Sequence, residues 1–154
     1  MADAGDVKRL QAAIDRMRAW GVVVREMDGW PTRGLTWARV PVGVLDHHDA
    51  SSIKSGEWGS LGYELTGPLA PSNQIQVARC LDGVPKVAVL AAGRCNHAGV
   101  GRWKFPDGVV VPTDDGNAWL YGVEKANNGL GEAATPAHDY ATDATFRALL
   151  EVCG

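Results

Sequence analysis

A chain of 154 residues and 16.4 kDa, 45% hydrophobic and 21% charged, has the size and composition of one globular domain with its own core. Its 15 Lys+Arg against 18 Asp+Glu leave a net charge of −3, which argues against the broad basic footprint of a nucleic-acid binder. No apolar run approaches the roughly 18 residues of a membrane span, and the polar start Met1 to Gln11 lacks the apolar centre of a secretory signal.

The first predicted element is a helix over about residues 6–20. Val7, Leu10, Ile14 and Met17 recur at helical spacing and form one stripe for docking on a sheet. Asp6 is placed to cap its start and Gly21 to end it. Val22-Val23-Val24 reads as a short strand, and Asp28 to Thr36, with Gly29, Pro31 and Gly34, as a loop. Val40 to His48 reads as a strand covered on both faces.

The stretch 49–72 is rich in Gly, Ser and Pro and reads as a long functional loop, one rim of a groove, with a short helix somewhere inside it. Asn73 to Cys80 and Lys86 to Ala92 flank Asp82-Gly83, a hairpin signal. Gly93 to Thr113 is irregular apart from a brief strand at Val109-Val110-Val111. Ala118 to Ala126 is a further strand, and a last helix is expected over about 142–153. In that helix Phe146, Leu149, Leu150 and Cys153 form an apolar stripe, which makes Cys153 a core residue rather than a nucleophile. The order predicts an α/β domain, a mixed sheet with helices packed on its faces.

The three cysteines, Cys80, Cys95 and Cys153, show no CxxC spacing, which argues against a disulfide framework or a cysteine zinc knuckle and for synthesis in a reducing cytoplasm. The four histidines are His47, His48, His97 and His138. His47 and His48 close an apolar strand and open the long loop. Successive strand side chains point to opposite faces, so only one of the pair can face a given cleft. Each is either a satisfied structural histidine or a site residue. Glu124 lies inside the apolar strand Leu120-Tyr121-Gly122-Val123-Glu124. It faces water at an edge, or it sits in a cleft where desolvation makes it a general base. His138 reads as surface.

Three segments together resemble a known family. Val44-Leu45-Asp46-His47-His48-Asp49-Ala50-Ser51 is similar to the first zinc-ligand motif of type 2 N-acetylmuramoyl-L-alanine amidases. Ala91-Ala92-Gly93-Arg94 followed by His97-Ala98-Gly99 resembles that family's Gly…His-Ala-Gly segment. Asn117 with Tyr121-Gly122-Val123-Glu124 is similar to its Asn…Ile-Gly-Ile-Glu strand. Arg18-Ala19-Trp20-Gly21-Val22 and Gly29-Trp30 resemble the amidase domain of endolysins from phages of actinobacteria.

The resemblance runs from about residue 7 to the end and implies, for the single domain 1–154 that the length suggests, a fold like the peptidoglycan recognition proteins. It implies a zinc-dependent hydrolase that cleaves the amide between N-acetylmuramic acid and L-alanine. His47 would be a zinc ligand, Glu124 the general base, and His97 and Asn117 would line the groove for bacterial peptidoglycan. Synthesis in the host cytoplasm and action on the cell wall after release also follow from it.

The sequence departs from the family in several places. Asp49 stands where Thr is usual, and Asn73 where some members carry a catalytic Tyr. The turn after Arg79 carries Cys80 and Leu81 in addition. The family's second and third zinc ligands follow the last helix, where this sequence ends at Gly154. The expectation is therefore a domain incomplete at its C-terminus, with zinc bound weakly unless a further segment or chain completes the site. His138 is a substitute ligand to examine. The alternative is a zinc-free module that binds muramyl-peptides without cutting them, using His97, Asn117 and the loops of Trp58, Trp103 and Trp119.

Overall fold

The computed structural model describes residues 1–128. The expected last helix, Cys153 and His138 lie outside the described residues.

Helix α1 spans Ala4–Ala19. Its cap is Asp3, not Asp6. Asp3 accepts from the Asp6 backbone N–H at 2.8 Å, and Asp6 returns the bond to the Asp3 N–H at 2.9 Å, a capping box. Asp6 therefore belongs to the first turn. The helix closes at Trp20, and Gly21 takes a φ of +82° just beyond it.

Strand β1 is Val23–Glu26, and β2 is Gly43–His48. The stretch 49–72 holds a 3-10 turn at Ile53–Ser55 and helix α2 at Leu61–Thr66, the short helix that composition alone did not place. Strands β3 (Ile75–Val77) and β4 (Lys86–Val89) form the expected hairpin. In the irregular region β5 (Trp103–Lys104) pairs with β6 (Val110–Val111) as a separate small hairpin. A single turn α3 (Gly116–Trp119) then leads directly into β7 (Leu120–Lys125). Ala118 and Trp119, expected in the strand, are helical.

The main sheet has five strands in the order β1-β4-β3-β7-β2, with β3 antiparallel to β4 and the other pairings parallel. This is a mixed α/β architecture, as the element order predicted. Strand β2 lies at one edge, with Asp46 and His48 exposed, so it is not covered on both faces.

The two sheet faces differ because side chains alternate along each strand. One face carries Val24, Ile75, Val77, Val87, Val89 and Val123, packed against Leu10, Ile14 and Met17 of α1. Ile14 and Met17 are fully buried, each contributing about 2–3 kcal/mol by removal from water. The opposite face carries Ala88 and Leu90, covered by Leu61, Leu65 and Trp58 from the 49–72 stretch. Leu61, Glu64 and Leu65 share one side of α2 by helical spacing. Docking that side on the sheet buries Glu64 along with the two leucines. The candidate site lies on this second face.

Candidate active site

Strand register assembles the site. His47 on β2 is the Cα partner of Glu124 on β7, and Glu124 is the partner of Gln76 on β3. Gln76 is in turn opposite Ala88 on β4. Residues paired across a ladder share a face, so His47, Glu124 and Gln76 stand side by side. His48 pairs with Lys125 on the other face, where Lys125 also bridges Asp46 at 2.9 Å. The His47–His48 pair is thus divided between faces.

His97 joins this row from the loop after β4. Its ring meets that of His47 edge to face, with centroids 5.8 Å apart. Its Nε2 is 2.8 Å from the carbonyl oxygen of Leu120. A carbonyl only accepts, so Nε2 carries the proton and Nδ1 presents a lone pair. Gly122 makes this placement sterically allowed. A Cβ on Gly122 would stand 2.7 Å from Cβ and Cδ2 of His97, closer than carbon atoms pack. Asn117 braces the same loop: its Oδ1 accepts from the backbone N–H groups of His97 at 2.8 Å and Ala98 at 2.7 Å. That places Asn117 behind His97, holding it.

The four atoms His47 Nε2, His97 Nδ1, Glu124 Oε2 and Glu64 Oε2 are buried and have no hydrogen-bond partner. Folded proteins leave few such atoms, and a concentration of them calls for an explanation. Burial is also the main cause of the electrostatics. It pushes Glu124 up to about 8, with the charges of Glu64, Asp49 and Asp46 adding to the effect. It pushes Glu64 up to about 7, opposed by a hydrogen bond from Ser60. It lowers His97 to about 4, against the bond to Leu120, and lowers His47. Near neutral pH the row therefore holds uncharged imidazoles beside carboxyl groups poised to gain or lose a proton, the condition for acid–base work.

Glu64, Gln76 and Asp49 were not singled out as site residues by the sequence. Asp49 has six donor groups within hydrogen-bond distance, Ser51 N and Oγ, Ser60 N and Oγ, Gln76 Nε2 and Asn127 N, with the one Ser60 hydroxyl proton shared between Asp49 and Glu64. It ties the start of the long loop to α2, β3 and the end of β7. Its sequence position beside the His47–His48 pair was the available signal. Asn73, at the place of the family's Tyr, is fully buried and donates to the Ile75 carbonyl at 2.9 Å. The tryptophans are already engaged. Trp58 packs on the Ala88–Leu90 cluster, Trp119 donates to Asp115 at 2.8 Å under the Arg39 guanidinium, and Trp103 lies against Gly101 and Gly116.

The zinc implied by the resemblance would have to be held by these atoms. His47 Nε2, buried and unpartnered, fits one ligand position. Among the described residues no three His, Cys, Asp or Glu side chains come together as a metal-binding group, so they do not form a complete zinc site. Cys80 and Cys95 are buried free thiols, and burial pushes the Cys95 thiol far up. Comparisons of the chain with protein-family models, curated proteins and solved structures find no match.

Proposed function

We propose that the chain is a hydrolase domain of the N-acetylmuramoyl-L-alanine amidase type, acting on peptidoglycan, with His47 and Glu124 at its reacting centre. One observation carries the reading: His47 Nε2 and Glu124 Oε2 share one register position and one face, and both are buried without a partner. In this proposal Glu124 takes a proton from the attacking water and passes it to the leaving amide nitrogen. His97 lines the groove for the muramyl-peptide, and Asn117 holds the His97 loop in place. Zinc held in part by His47 belongs to the same proposal, and when bound it supplies polarisation of the carbonyl and its water. His47 is the one ligand that the resemblance supplies, and among the described residues no three His, Cys, Asp or Glu side chains gather to hold an ion.

That single ligand also favours a second reading, a module that binds muramyl-peptides without cleaving them. One experiment separates the two. Purified protein is incubated with a muramyl-peptide, product is followed by chromatography, and binding by titration calorimetry. The first reading expects cleavage that Glu124→Gln lowers by about 10²- to 10⁴-fold, the usual contribution of a positioned acid–base group. Cleavage that is indifferent to Glu124→Gln overturns it. Binding without any cleavage selects the second reading.

A further inference from the structure

We infer that Asp49 is a positioning residue for the site: by holding the side-chain amide of Gln76, it keeps that amide off Glu124 and leaves a lone pair of Glu124 Oε2 free to take a proton. The inference rests on the reading of Glu124 as the proton carrier. Gln76 and Glu124 are Cα partners on neighbouring strands, which run roughly 5 Å apart. Gln76 is fully buried, so water does not satisfy its amide. A glutamine in that position has the reach to donate to the neighbouring carboxyl, and Glu124 Oε2 has no partner to compete for it. Yet the Gln76 amide makes no bond to Glu124 Oε2. Its Nε2 donates to Asp49 Oδ2 at 3.1 Å, and its Oε1 faces Asn73 Nδ2 at 3.4 Å.

Asp49 can compete because it is itself immobilised. Oδ1 accepts from Ser51 N at 3.0 Å, Ser51 Oγ at 2.6 Å and Asn127 N at 3.2 Å. Oδ2 accepts from Ser60 N at 2.8 Å and lies 3.0 Å from Ser60 Oγ, whose one proton it shares with Glu64. Gly59 gives the carboxylate room: its φ is +57°, and a Cβ there would press directly on Asp49 Oδ2. Because these bonds already fix the Asp49 carboxylate, the Gln76 amide bonds it without the cost of ordering a further side chain.

The test removes the competitor and then the amide. In Asp49→Ala, a high-resolution crystal structure is expected to place the Gln76 amide within hydrogen-bond distance of the Glu124 carboxyl. Its kcat for muramyl-peptide cleavage is expected to fall about tenfold with KM little changed, the order of one net hydrogen bond on the reacting group. In Asp49→Ala/Gln76→Met most of the lost kcat is expected to return, which a purely structural role of Asp49 does not allow. A Gln76 amide still making no bond to Glu124 in Asp49→Ala overturns the inference, as does a folded double variant no faster than the single one. If Asp49→Ala does not fold, Asp49→Asn, which presents an amide nitrogen to Gln76 in place of Oδ2, is subject to the same two outcomes. If the wild-type chain cleaves nothing, the proposed function fails, and the position of Gln76 in the variant structure still decides the positioning role.

Discussion

Replacing Glu124 with Gln should flatten the dependence of stability on pH and stabilise the fold in mild base. Glu124 is pushed up to about 8 chiefly by burial, against 4.5 for an ordinary glutamate. The folded state thus holds a proton that the unfolded state has released across the window between those values. For a carboxyl raised in this way, the favourable contribution is complete below about 4.5 and is lost as pH climbs through 8. Stability of the wild-type chain should fall over that window. Each tenfold difference in proton affinity is worth about 1.4 kcal/mol. Allowing for partial exposure of Glu124, its share is on the order of 2–4 kcal/mol.

Glutamine is nearly isosteric and does not titrate there. Glu124→Gln should match wild type near pH 5 and exceed it by a few kcal/mol at pH 8.5. Glu64→Gln should act in the same direction, and should also lower the window of Glu124, because the Glu64 charge helps to raise it. The assay is urea denaturation at fixed temperature from pH 5 to 9, comparing midpoints at unchanged slope. Parallel stability profiles for wild type and Glu124→Gln would show instead that Glu124 is solvated in the folded protein.

Two further predictions concern the support of His97. Gly122→Ala should cost about 1–3 kcal/mol, because the new methyl group overlaps the His97 ring; its amide spectrum should show the largest shifts at residues 97–98 and 120–122. Asn117→Ala should cost about 1–3 kcal/mol by leaving two backbone donors without their acceptor. Hydrogen exchange at the His97 and Ala98 amides should then accelerate, while exchange in α1 does not.

Much of the fold was legible because local patterns carry it. The stripe Leu10, Ile14, Met17 announces a helix that buries one side, and Asp82-Gly83 between apolar runs announces a hairpin. The division of His47 from His48 follows from the period of a strand alone. Element edges were less legible. Asp6 reads as the cap from sequence where the backbone uses Asp3, and Ala118-Trp119, read as the start of a strand, forms a helical turn.

What the residues determined by themselves is their own periodicity: which side chains share a face, where a turn must fall, and that Glu124 stands in an apolar strand. Which faces meet is set by packing in three dimensions. The alignment of His47 with Glu124 and Gln76 depends on the register of three strands far apart in sequence. Glu64 enters the site only because α2 lays its leucines on Ala88 and Leu90, and Asp49 becomes a hub only when four segments converge on it. The physical reason is burial. Desolvation and non-local hydrogen bonds set the charge state of a carboxyl, and neither exists until the chain has folded around it.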